Sequence, residues 1–167
     1  VSKAAAYWFV KIFRQKHDMF CCTGVLFNHE SSLRSNEFVT KKIIKMSKKI
    51  KKNKKIKLYL GNINIYRDWG WAPEYVKAFW LMLQKNKPED LIIGTGKIYT
   101  IKQFVNEVFK IQKISKKNLI TNVKKFKRKL DIRGYKADIK QTKKKINWNP
   151  KISFKQIISK MVNNELF

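Results

Sequence analysis

The stretch CCTGVLFNHESSLR, Cys21 to Arg34, changes character halfway along. Its apolar part belongs to a segment, residues 19–27, that reads as a buried strand. Its polar part opens with Asn28-His29-Glu30 and continues as a loop to Asn36. A buried strand ending in hydrogen-bonding and titratable groups delivers them to the carboxyl edge of a sheet, where open α/β proteins bind ligands. A satisfied polar strand end is the plainer reading. Three such residues in a row, followed by Arg34 in a loop, favour a site.

The chain around this corner alternates helices and strands. Upstream, residues 1–17 read as a helix with Ala5, Trp8, Phe9, Ile12 and Phe13 on one broad face, and Tyr7 and Trp8 as packing residues. Downstream, Glu37–Lys52 is an amphipathic helix: Val39, Ile43, Met46 and Ile50 recur at helical spacing and lysines fill the other faces. Lys57–Leu60 is a short strand closed by the turn signal Gly61-Asn62, and residues 64–71 read as irregular and aromatic. Ala72-Pro73-Glu74 begins a helix running to about Lys85, with proline in its first turn. Leu91–Ile93 is a strand turned by Gly94-Thr95-Gly96. Thr100 and Gln103 form a capping-box pattern for a helix to Ile111. Asn118–Val123 is a candidate strand, and Phe126–Ala137 reads as irregular and polar. Asp138 caps a helix to Ile146, Asn149-Pro150 breaks the chain, and Ser153 caps a last helix to about Asn164. This alternation is the signature of an α/β fold. No GxGxxG phosphate loop accompanies it.

Length and composition narrow the function. The 167 residues amount to about one domain, and no run of about 18 apolar residues predicts a membrane span. Cys21 and Cys22 are adjacent and no ligand-spaced partners accompany them, which points to a reducing, cytoplasmic setting and no metal site. Lys and Arg number 39 against 11 Asp and Glu, a net charge of +28. Such charge suits a nucleic-acid-binding module, which would bind through the Lys41–Lys57 face. Arginine is scarce, however, and no nucleic-acid motif is present. Drift toward Lys, Ile and Asn, with the lysines on a solvated helix face, accounts for the pattern. No specific nucleic acid and no membrane are expected as partners.

Several segments together resemble the GDP-mannose 4,6-dehydratase family of the extended short-chain dehydrogenase/reductase superfamily. VSKAAAYW at 1–8 looks like the end of a Tyr-x-x-x-Lys motif. LFNHES at 26–31, FVTKKI at 38–43, LYLGN at 58–62, RDWGWAPEYV at 67–76, WLMLQ at 80–84 and PEDLIIGTG at 88–96 follow in the family's order and spacing. WNPKISF at 148–154 is shared more widely. The resemblance implies the closing part of an NAD(P)-binding Rossmann fold interwoven with a smaller α/β substrate domain. Residues 1–36 would finish the cofactor domain. Residues 37–167 would form mainly the nucleotide-sugar domain, with about 72–112 returning to the Rossmann sheet. Because the chain opens inside the motif, it is expected to be a C-terminal fragment, inactive alone and exposing apolar surface.

The resemblance also implies roles. Lys3 would be the motif's catalytic lysine and hold the nicotinamide ribose of NADP. Its partner tyrosine, one helical turn earlier, would lie before Val1. His29 and Arg34 would contact NADP, and Asn28 the sugar nucleotide. Val39 and Lys42 would border the guanine nucleotide. Arg67 and Arg128 would grip the diphosphate, as guanidinium suits phosphate, and Asp131 would meet the ribose. Asp68 would tie down its loop, Glu30 would be structural, and Trp69, Trp71 and Tyr75 would be core. The implied substrate is GDP-mannose, converted to its 4-dehydro-6-deoxy sugar in GDP-deoxyhexose synthesis by a homo-oligomer, a dimer or tetramer. The chain departs from the family at Leu33–Asn36, where one of two cofactor-loop arginines of Pro-Arg-Arg-Gly is missing. It departs again at Lys129 and Asp131, where the family has Pro-x-Glu. A related nucleotide-sugar epimerase or reductase, or a non-enzymatic relative, would share much of the same frame.

Overall fold

A computed structural model describes residues 1–126 and 133–166. The chain begins with helix α1 (Ser2–His17), as its apolar spacing predicts. Strand β1 (Thr23–Leu26) then pairs in parallel with β6 (Asp90–Ile93), Gly24 lying opposite Leu91. The Arg14 guanidinium joins this unit to α1 by donating to the Asp90 carboxylate and to Cys21 O.

The backbone changes partner at Phe27. Its N–H still donates to Ile93 O, at 2.8 Å. From Asn28 onward the chain forms β2 (Asn28–Glu30), which pairs in parallel with β5 (Trp69–Trp71); Asn28, His29 and Glu30 face Trp69, Gly70 and Trp71. The segment expected to be loop therefore starts as a strand. Residues 64–71, expected to be irregular, hold β5 and also β4 (Tyr66–Arg67), which runs antiparallel to β7 (Tyr99–Thr100). Strands of two or three residues carry too little alternation to be legible. A third parallel pair joins β3 (Leu58–Tyr59) to β8 (Leu119–Ile120), shorter than the expected Asn118–Val123 strand.

Helix α2 (Val39–Lys52) buries Ile43, Ile44 and Ile50, while Lys45, Lys48, Lys49, Lys51 and Lys52 stay exposed. It packs with α4 (Ile101–Gln112) and α6 (Phe154–Asn163) around Leu58, Trp69, Phe104 and Ile157. Both α4 and α6 start in complete capping boxes, Thr100 with Gln103 and Ser153 with Gln156. A second apolar cluster joins α3 (Ala72–Leu83), β6 and α5 (Lys140–Ile146) through Tyr75, Ala78, Leu91, Ile93 and Trp148. The Trp148 indole donates to Glu74 O and the Glu74 carboxylate accepts from Lys151 and Ile152 N–H, so the Asn149-Pro150 break is pinned to the start of α3.

Three further expectations need correction. The 19–27 strand is shorter and less buried than its composition suggests, with Val25 46% and Leu26 39% exposed. Among the described residues β1 pairs along one edge only. Trp8 and Phe9 are 58% and 61% exposed, so the apolar face of α1 does not pack into this chain's core. Asp138 is not the N-cap of α5, a position held by Ile139; its carboxylate accepts from Lys140 N–H at 3.1 Å in a local turn instead.

Asp68 lies between β4 and β5 and is fully buried. One oxygen accepts from both the N–H and the hydroxyl of Thr95. The other accepts from Gly96 N–H at 2.8 Å and Ala137 N–H at 3.2 Å. The carboxylate thus gathers three chain segments, the loop-tying role expected of it. Replacing it by Asn turns an NH2 toward one pair of donors. Asp68→Asn is expected to destabilise the chain by about 2–4 kcal/mol, the scale of a broken buried network. Urea unfolding checks this, and an unchanged midpoint would refute the anchoring role.

Candidate nucleotide-sugar and cofactor site

The partner change at Phe27 sets Asn28, His29 and Glu30 in the walls of two cavities. The larger, about 650 Å³, is lined by Asn28, Glu30 and Arg34, by Val39, Thr40 and Lys42 of α2, and by Arg67 and Phe126. The smaller, about 460 Å³, is lined by Phe27, His29, Tyr135 and again Asn28, Arg34 and Arg67. Asn28, Arg34 and Arg67 therefore form a shared wall.

Each wall residue is placed by its neighbours. His29 donates from Nδ1 to Phe27 O at 3.1 Å, and its ring lies against Tyr75 at 5.4 Å. The Tyr75 hydroxyl donates to Asn28 O at 3.4 Å, and burial pushes its phenol pKa upward, with Asp68 and Glu74 adding to the shift. Tyr75 can lie there because residue 70 has no side chain: a Cβ at Gly70 would come within 2.3 Å of the ring. Arg34 rests its guanidinium 3.5 Å from the Phe38 ring centroid. Arg67 donates to Tyr66 O at 2.7 Å. Lys42 donates to Tyr59 O at 3.0 Å, lies over the Phe126 ring, and has its pKa lowered by burial.

The fold thus brings together Asn28, His29, Arg34, Val39, Lys42 and Arg67. Val1 is the N-cap of α1; it is exposed, and its carbonyl accepts from Ala5 N–H at 3.0 Å. Lys3 is exposed on the first turn of α1. Neither Val1 nor Lys3 lines either of these two cavities. Arg128 and Asp131 lie outside the described residues.

Thr40, Asn62, Phe126 and Tyr135 line the cavities without any signal in the sequence that marks them as doing so. Gly61-Asn62 reads only as a turn; a Cβ at Gly61 would meet Phe126 O at 2.5 Å, so this glycine admits the Phe126 segment to the wall. Cations outnumber carboxylates in the larger cavity: Arg34, Lys42, Arg67 and Lys125 face Glu30 and Glu37. The smaller cavity has Arg34 and Arg67 and, among the described residues, no carboxylate. Both suit phosphate-bearing ligands. Among the described residues no group of three His, Cys, Asp or Glu is placed to hold a metal, and no helix is long and apolar enough to cross a membrane.

Filling the space at Gly70 should disturb this wall. Gly70→Ala is expected to displace the Tyr75 ring at a cost of about 1–3 kcal/mol, typical of overpacking. Urea unfolding and near-ultraviolet circular dichroism check this; wild-type values in both would contradict the close packing.

A family model described as GDP-mannose 4,6 dehydratase matches residues 1–161. GDP-mannose 4,6 dehydratase 1 of Arabidopsis thaliana is 38% identical over 165 residues, covering 99% of this chain and 46% of the plant protein. GDP-mannose 4,6 dehydratase of Homo sapiens is 34% identical, covering 99% of this chain and 49% of the human protein. The chain spans about half the length of these curated relatives. Two solved structures share its fold at low identity. RMD from Pseudomonas aeruginosa complexed with NADPH superposes with a TM-score of 0.86 at 16% identity, covering 98% of this chain and 53% of that one. The dTDP-glucose 4,6-dehydratase of Bacillus anthracis in complex with NAD gives 0.83 at 19%, covering 97% and 50%. The α/β frame with parallel strand pairs is thus that of the extended short-chain dehydrogenases and epimerases, and the match over nearly all its length makes this chain a member of the GDP-mannose 4,6-dehydratase family.

Proposed function

We propose that this chain supplies the nucleotide-sugar pocket and part of the cofactor wall of an NADP-dependent GDP-mannose 4,6-dehydratase. The reaction is a hydro-lyase step that makes GDP-4-dehydro-6-deoxy-mannose for GDP-deoxyhexose synthesis. The observation that carries this reading is the pair of cationic cavities divided by Asn28, Arg34 and Arg67. Dehydration at C6 after oxidation at C4 requires a sugar beside a hydride carrier, and two pockets with a common wall provide that adjacency. NADP when bound supplies the reversible hydride acceptor.

The residues divide the work. In the larger cavity Val39 and Lys42 border the guanine nucleotide and Arg67 neutralises the diphosphate; the resemblance gives the same task to Arg128, which lies outside the described residues. Asp131 meets the nucleotide's ribose. Asn28 positions the sugar at the partition. In the smaller cavity His29 and Arg34 hold the cofactor, and the cationic lining fits an anionic dinucleotide. Lys3 would hold the nicotinamide ribose only with another part of the fold brought against α1. Residues 1–36 belong in this reading to the cofactor domain, residues 37–167 mainly to the substrate domain, and the 72–112 segment to the Rossmann sheet. The 167 residues include no glycine-rich dinucleotide loop, so in this reading the chain alone binds nucleotide sugar without turning it over. In this reading its exposed α1 face is covered within a cytoplasmic homo-oligomer.

Two experiments test this. The chain is expected to bind GDP, and Arg67→Ala to weaken binding about 10- to 100-fold by loss of a charge-assisted contact; calorimetric titration reads the change. Fused to the N-terminal half of the Arabidopsis relative, the chain is expected to consume GDP-mannose when NADP is present. A folded fusion that binds GDP but leaves GDP-mannose intact would sink the dehydratase reading.

A further inference from the structure

Glu30 ends β2 and is only 2% exposed, yet it lines the larger cavity. Its Oε2 accepts a 2.9 Å hydrogen bond from the Thr40 hydroxyl in the first turn of α2. The same oxygen lies 3.4 Å from Arg34 Nε, which is buried and makes no hydrogen bond. The contact with Arg34 is thus one of charge, and it sets the guanidinium over the Phe38 ring. The lysines of the elements packed nearby are engaged elsewhere. Lys41 and Lys42 of α2 donate to Ser32 O and Tyr59 O, and Lys160 of α6 lies over the Trp71 ring of β5. One buried carboxylate therefore touches both the residue shared by the two cavities and the helix turn that carries Val39 and Lys42.

We propose that Glu30 is a positioning residue that holds Arg34 in the wall between the cavities and fixes the start of α2, so that binding in both cavities depends on its charge. The role rests on the functional reading above and adds to it a residue that acts through Arg34 and Thr40. The buried Nε of Arg34 has no hydrogen-bond partner among the described residues, so Glu30 holds the guanidinium by charge while its outer nitrogens face the cavities. Stability does not explain the charge. Burial raises the Glu30 pKa to about 7, with Arg34 and Thr40 acting in the opposite direction. A carboxyl that holds its proton more tightly when folded makes stability fall as pH rises from its ordinary value to its folded one. Above about pH 7 the ionised group is therefore a net cost to the fold, tolerated where function needs it.

The test uses the 167-residue chain and its Glu30→Gln and Thr40→Val variants, titrated separately with GDP and NADPH and unfolded in urea at about pH 8. Gln keeps an acceptor for Thr40 and removes only the charge. Glu30→Gln is expected to be at least as stable as the parent chain and yet to bind both ligands about tenfold more weakly, or about 1.4 kcal/mol each. Thr40→Val keeps the Arg34 contact and is expected to weaken GDP while sparing NADPH. Unchanged binding of both ligands by Glu30→Gln would overturn the role. So would a parallel loss of stability and binding, which marks a merely structural group. If the parent chain bound neither ligand, the functional reading itself would fall and this role with it, an outcome separate from parent binding that Glu30→Gln leaves unaltered.

Discussion

The buried carboxylate of Asp68 is the constraint on which the site depends. It stands between Arg67, which lines both cavities, and Trp69, which is buried in the larger core. Because it accepts from Thr95, Gly96 and Ala137, the turn after β6 and the chain before α5 are both held to the β4–β5 junction. Four donors on two oxygens leave little freedom to shift the junction, so Arg67 projects from a fixed point. An arginine used to neutralise a diphosphate gains from such a mounting, since its own long side chain is costly to immobilise.

The second organising event is the exchange of strand partners at Phe27. Up to that residue the backbone is bonded to β6; beyond it, to β5. A strand that leaves one neighbour for another opens a crevice at the change, the place where open α/β sheets take ligands. Asn28 occupies it and is common to both cavities, while His29 lines only the smaller and Glu30 only the larger. Alternation along a strand sends successive side chains to opposite faces. Three consecutive residues can in this way serve two ligands and one internal strut.

Much of this was legible from residue order. Capping boxes at Thr100 and Ser153 declare themselves because the hydroxyl and its glutamine lie three apart and act locally. The α2 face was legible from helical spacing, though Thr40 and Ser47 are buried beside its isoleucines. Both are polar, so hydropathy hid them: Thr40 bonds Glu30, and Ser47 bonds the carbonyl of Ile44. The grouping of Asn28, His29, Arg34, Val39, Lys42 and Arg67 comes from family resemblance, and these residues line the two cavities. Partnership at a distance was not legible. Nothing local says that Phe126 lies under Lys42 or that Ala137 donates to Asp68, because those contacts are chosen by the assembled fold. The same reason explains the misreading of α1, whose apolar stripe is real while its burial is not supplied by this chain.

Net charge is a poor guide to function here, whereas the placement of individual cations is informative. Between Phe38 and Arg67 the sequence contains ten lysines and no acidic residue. Lys45, Lys48, Lys49, Lys51 and Lys52 point into solvent from the outer face of α2, where salt screens them and each adds little. Arg34, Lys42 and Arg67 are few, but aromatic rings or backbone carbonyls hold them at cavity walls. A partly desolvated cation in a fixed place attracts phosphate more strongly than a mobile one on the surface. Lysine can therefore accumulate over the exterior without changing the chemistry at the partition, while a small displacement of Arg34 would change it. On the positioning role proposed for Glu30, that asymmetry makes a buried carboxylate beside Arg34 bear more on ligand binding than the whole basic exterior of α2.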